Sequence, residues 1–191
     1  MDIKLIFSVA GVILILGGNV PYFVGIFRGK TRPHIYSWLI WTITYGIGLL
    51  GVIKGNGGWG SLSLAVGFSI VCITFLACFK YGSKNITKFD TVTLIFALLA
   101  IVVYFQLHNP LLAVFMVTLI DFIAYVPSFR KSFYEPYSEN VASWVIYTIA
   151  GLLIILSLYE YNLLTLTYLV VTEVANIILI AICLARRKSK I

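Results

Sequence analysis

Two carboxylates, Asp121 and Glu173, stand inside long apolar runs that contain no lysine or arginine. Ionisable groups at membrane depth are costly, so they are functional candidates by default. With no internal cation to pair with, each could carry a coupling proton or meet a cationic group on a solute. The purely structural alternative is a protonated carboxyl that donates one interhelical hydrogen bond. Polar neighbours recur at helical spacing. Asn176 follows Glu173 by one turn, Tyr125 follows Asp121 by one turn, and Tyr168 precedes Glu173. Residues three or four apart share a helix face, so these groups could line one polar cavity. Asn19 and Ser69 fall at similar depth on other segments and extend the candidate lining.

Four aromatic positions need sorting by depth. Trp41 and Tyr147 lie deep enough to stack on a ligand, whereas Trp38 and Trp144 begin about one turn inside the membrane boundary and read as interfacial anchors. Trp59, in a glycine-rich turn, also reads as belt. Pro21 and Pro127 lie inside apolar segments, where each removes a backbone hydrogen bond and makes a candidate hinge.

The elements that position these groups follow from composition. The chain of 191 residues is 61% hydrophobic and 11% charged, against about 45–50% and about 25% in soluble domains. A spanning helix needs about 20 mostly apolar residues. Seven segments meet that length, at 5–27, 35–53, 61–79, 91–107, 111–129, 141–158 and 163–185. The expected fold is therefore an all-α polytopic membrane protein. At about 1.5 Å of rise per residue, Asp121 lies ~12 Å from the inner end of its segment and Glu173 ~15 Å from the outer end of its own, both near the midplane of a core ~30 Å thick.

Basic residues test the topology independently. Arg28, Lys30, Arg32, Lys80, Lys84, Lys88, Arg130, Lys131 and the basic residues from Arg186 onward fall on one side, leaving Lys4 and Lys54 opposite. The positive-inside rule then puts the N-terminus outside and the C-terminus in the cytoplasm, with the cell membrane as the expected location. On this reading the net charge of +7 reports topology and lipid headgroup contact, and no nucleic-acid partner is expected. His34 and His108 read as solvated loop residues, and the three cysteines as packing residues without metal-ligand spacing. No cofactor or metal is expected, and no nucleophile with a base suggests an enzyme.

The stretch from Pro21 to Trp41 returns from Pro127 to Tyr147. Phe23 matches Phe129, Phe27 matches Phe133, and the pair Ser37-Trp38 matches Ser143-Trp144 without a gap. At the same offset Asn56 meets Asn162, while Asp121 and Glu173 fall opposite Ile15 and Gly67. The organisation expected is a first three-helix repeat (1–80), a linker with the fourth helix (81–110), a second repeat (111–185) and a basic tail (186–191). Parallel repeats of this kind place a solute site at the repeat interface.

The recurring proline, basic turn and Ser-Trp pair, with three helices on each side of a linker, resemble the PQ-loop/SWEET (MtN3-saliva) transporter superfamily. The glutamine after the family proline is Tyr22 in the first repeat and Ser128 in the second. The resemblance implies paired three-helix bundles and alternating access to a central site for a small polar solute, with proton coupling in one branch. Asp121, Glu173, Asn176, Asn19, Trp41, Tyr147 and Tyr125 are the expected site residues, and Pro21 and Pro127 the expected hinges. Membrane lipids are the other expected partners, and self-association is left open. A non-transporting ligand receptor or sorting protein on the same fold is the alternative.

Overall fold

The structure is a computed structural model that describes residues 2–104, 106 and 109–188. Its described residues form seven α-helices and one 3-10 turn: α1 (Ile3–Phe27), α2 (Ile35–Lys54), α3 (Gly60–Tyr81), α4 (Lys88–Tyr104), α5 (Pro110–Tyr134), the turn Pro136–Ser138, α6 (Val141–Ser157) and α7 (Leu163–Lys188). His108, and the expected end of the fourth segment at 107, lie outside the described residues.

Local chemistry sets the helix ends. Asn109 accepts from the amides of Leu111 and Leu112 ahead of Pro110, and Asn140 accepts from Ser143 N. Asn162 and Thr165 cap each other reciprocally at the start of α7. A capping box opens α4, where Thr87 N donates to Asp90 (2.8 Å) and Asp90 N to Thr87 Oγ1 (3.3 Å). α1 ends in a Schellman arrangement, with Lys30 N bonded to Gly25 O and Gly29 N to Ile26 O. Gly29 sits at φ 68°, which a residue without Cβ adopts at no steric cost.

Three helices, α1, α3 and α7, are long and apolar enough to cross a membrane; α2 and α6 carry shorter apolar stretches. Polarity runs inward. Ser8, Asn19, Thr44, Asp121 and Glu173 are buried, while Val9, Ile13, Leu16, Val20, Val24 and Phe27 make an exposed stripe along α1. An apolar exterior around a polar interior suits a hydrocarbon surround and would be poorly hydrated in water.

α1 lies against α3 and α6, and α5 lies against α7 and α2. α3 also touches α2, as α7 touches α6, whereas no close backbone approach joins α1 to α2 or α5 to α6 among the described residues. α4 rests outside, on α5 and α2. The core divides into two apolar layers. One holds Tyr22, Trp38, Trp41, Tyr125 and Trp144; the other holds Leu64, Val117, Ile154 and Leu169.

The end of the bundle that carries most basic residues is interlocked. Arg130, just past the expected segment end at 129, lies within α5 and clasps Asp90 through Nε (2.8 Å) and Nη2 (2.6 Å). Lys131 is fully buried. It pairs with Glu139 and donates to Arg32 O (2.7 Å), while Trp144 Nε1 donates to the other Glu139 oxygen (3.0 Å). Arg186 and Arg187, expected in a free tail, continue α7 and donate to carbonyls of Phe133, Pro136 and Glu139. These cations have carboxylates and carbonyls within hydrogen-bond reach, which strengthens each contact. At the opposite end Lys4 donates to Leu156 O and the Tyr161 hydroxyl, and Ser8 to Trp59 O.

His34, expected in solvent, is buried with Nε2 3.5 Å from Asp90 Oδ2. Burial pushes its pKa down to about 4; the nearby Lys131 and Arg130 act in the same direction, against Asp90. An unfolded histidine titrates near 6.5, so the unfolded chain takes up a proton first as pH falls. Stability is then full above about pH 6.5 and drops towards pH 4, by about 2 kcal/mol between pH 7 and pH 5. In detergent, His34→Gln will flatten the dependence of Tm on pH over that interval; equal slopes for the two proteins would remove His34 as its cause.

Candidate functional site

Asp121 and Glu173 line one cavity of about 110 Å³, which is walled by α1, α2, α3, α5, α6 and α7. The expected site residues converge on it: Asn19, Trp41, Tyr125, Tyr147 and Asn176 are all in the lining. The expected residues come from α1, α2, α5, α6 and α7; the structure adds the glycine face of α3 around Gly67, with Trp38 of α2 and Trp144 of α6.

The two carboxylates are held differently. Asp121 is 2% exposed and accepts hydroxyl hydrogen bonds from Thr44 Oγ1 (2.6 Å) and Tyr168 OH (3.3 Å), with Thr172 Oγ1 also 3.3 Å away and shared with its shorter bond to Tyr168 O (2.9 Å). Thr44 belongs to α2 and the other two to α7, so this carboxylate ties α5 to both neighbours. Glu173 receives one long bond, from Asn176 Nδ2 (3.4 Å) on Oε2, and among the described residues Oε1 receives none. Glu173, a lining residue of the cavity, is thus the carboxylate with spare acceptor capacity.

Amides and phenols complete the polar lining. Tyr125 OH donates to Asn176 Oδ1 (2.7 Å), and Tyr147 OH donates to Asn19 Oδ1 (2.8 Å). Asn19 Nδ2 in turn donates to Ile15 O within α1 (2.7 Å). Each phenol bridges two helices and fixes the orientation of an amide.

Two glycines make room for large partners. A Cβ on Gly67 of α3 would crowd the Tyr45 hydroxyl (2.5 Å), and a Cβ on Gly151 of α6 would overlap the Glu173 carboxylate. In the sequence register Tyr45 corresponds to Gly151 and Gly67 to Glu173. The large group thus comes from α2 in one half and from α7 in the other. Gly151→Ala will displace Glu173 and lower stability by about 1–3 kcal/mol, the usual cost of overpacking. Thermal unfolding of the variant measures this, and an unchanged Tm would show that the carboxylate has room to move.

Several positions differ from expectation. Trp38 and Trp144, read as interfacial anchors, are 5% and 4% exposed and line the cavity. Glu139 draws the Trp144 indole N–H inward, which overrides the depth argument. Ser69 is exposed, donates to Ala65 O on its own helix and does not line the cavity. Pro21 and Pro127 lie within continuous helices, and Asn140 Nδ2 donates to the Pro21 carbonyl (3.2 Å), tying α1 to the start of α6. Sequence reasoning missed Thr44, Tyr45 and Thr172, whose partners lie on other helices.

The fold and the site together define an all-helical bundle, with helices of membrane-spanning length, around a central cavity that holds two carboxylates. Comparison of the chain with protein-family models, curated proteins and solved structures returns no match.

Proposed function

We propose that this chain is an integral membrane transporter for a small polar solute, working by alternating access and coupled to protons through the cavity carboxylates. The observation that carries the reading is the convergence of Asp121 and Glu173, from α5 and α7, on a single cavity without a cationic lining residue among those described. Glu173, with its open oxygen, takes the coupling proton or the solute. Asp121 holds α2, α5 and α7 in register around it, and Asn19 and Asn176 orient polar groups of the solute.

All seven helices span the membrane in this reading, with the N-terminus outside and the basic end in the cytoplasm. The neighbour pattern supports a 3+1+3 repeat: exchanging α1, α2 and α3 for α5, α6 and α7 reproduces the same set of touching pairs among these six helices, with α4 outside the symmetry. Trp41 against Tyr125 (centroids 4.7 Å apart) and Tyr147 against Asn19 (2.8 Å) are corresponding contacts across the two halves. The chain is then a divergent relative of the PQ-loop/SWEET superfamily. Pro21 and Pro127 supply backbone positions without an amide hydrogen bond, at which α1 and α5 bend during opening.

Proteoliposomes containing a pH-sensitive dye test the reading. The solute that most raises Tm in a screen of sugars, amino acids and vitamins is expected to drive proton movement through the wild type. Asp121→Asn combined with Glu173→Gln is expected to abolish that movement. Undiminished flux in the double variant would overturn the assignment.

A further inference from the structure

The cavity wall is aromatic and acidic at once. Trp41 packs against Tyr125 (4.7 Å between centroids) and Trp144 (6.0 Å), and Trp144 against Tyr147 (5.7 Å). These rings and Glu173 line the same space, and no lysine, arginine or histidine is among the described lining residues. Trp41 is 6% exposed and its Nε1 has no hydrogen-bond partner among the described residues, so the indole N–H is open to an acceptor on the solute, such as a hydroxyl.

This chemistry discriminates among solutes. The face of an aromatic ring attracts a cation, more strongly when both are out of water, and a carboxylate with a free oxygen supplies a counter-ion. An anion would meet two carboxylates with no opposing charge. An amino acid would satisfy its ammonium group but leave its own carboxylate buried and unpaired, which is strongly unfavourable.

We infer that the cavity takes a small organic cation without an acidic group, of the quaternary-ammonium class, with its charge against the Trp41, Trp144 and Tyr147 wall and Glu173 as counter-ion. The inference rests on the transporter reading for the identity of the cavity as the solute site. It adds the sign of the charge and the means of recognising it.

Calorimetric titration of the full-length protein in detergent separates the two claims, because it reads binding without flux. The probes are choline, the neutral alcohol of the same shape in which a quaternary carbon replaces the nitrogen, and glycine betaine, which adds a carboxylate. Choline is expected to bind at least about tenfold more tightly than either, a preference of about 1.4 kcal/mol. Trp41→Leu and Glu173→Gln are each expected to remove most of that preference. Should either variant fail to fold, the comparison of the three probes on the wild type still decides. Equal affinities, or no binding of choline, overturn the inference. Choline binding in a protein that moves no solute across vesicles would keep the cation site and remove the transporter; flux of another solute without choline binding would do the reverse.

Discussion

Lys131→Met is expected to lower the stability of the folded protein by about 3–5 kcal/mol, the cost of removing one partner from a buried ion pair. Lys131 is fully buried and Glu139 is 3% exposed, so neither charge can turn to water when the other is lost. Glu139 would keep the Trp144 indole N–H and lose its cation. The loss reaches the cavity, because Trp144 lines it. Adding Glu139→Gln to Lys131→Met removes the orphaned charge and is expected to restore much of the stability. Thermal unfolding of the two variants in detergent reads both effects. If Lys131→Met alone left Tm unchanged, the pair would not be buried in the way described.

Single neutralisations of the cavity carboxylates are expected to separate their roles. Glu173→Gln keeps the size of the side chain and the Asn176 contact while removing the charge and the titrating oxygen. Solute-driven proton movement should fall roughly 5- to 150-fold, the range of a coupling free energy of about 1–3 kcal/mol, with little change in Tm. Asp121→Asn puts an amide where the hydroxyls of Thr44, Tyr168 and Thr172 meet the carboxylate. Only one oxygen remains to accept, so about 1–3 kcal/mol of stability should be lost along with flux. If the Tm losses were reversed between the two variants, the division into a solute-facing Glu173 and a helix-tying Asp121 would fail.

The helices were legible in the sequence because apolar length and local caps decide them. Asn140 and Asn162 stand where α6 and α7 begin, and the run from Arg28 to Pro33 marks the gap before α2. The start of α4 was read three residues late, since Thr87 and Asp90 form a capping box that an apolar threshold discards. α5 runs five residues beyond the expected end at 129 because Arg130 and Lys131 are neutralised by Asp90 and Glu139, which lie elsewhere in the sequence.

The cavity was legible through its rarest residues. Carboxylates inside apolar segments stand out, and Asn176 and Tyr125 follow them by helical spacing. Thr44 and Thr172 did not stand out, because a threonine hydroxyl in an apolar helix commonly bonds a carbonyl one turn back, as Thr42, Thr118 and Thr172 itself do, and Tyr45 reads as one more aromatic among many. Nothing local says that Thr44 instead reaches Asp121 across a helix boundary. Depth alone also misplaced Trp38 and Trp144, since proximity to the membrane boundary fixes height along a helix but not which way the side chain turns.

The proposed transport requires that the cavity open in turn to each side of the membrane, which can be measured directly. With Cys72, Cys78 and Cys183 replaced, Ala150→Cys places one thiol in the cavity wall. In oriented vesicles a membrane-impermeant maleimide should label it from either side, and bound solute should slow labelling from both. Labelling confined to one side under all conditions would contradict transport and leave a ligand-binding receptor.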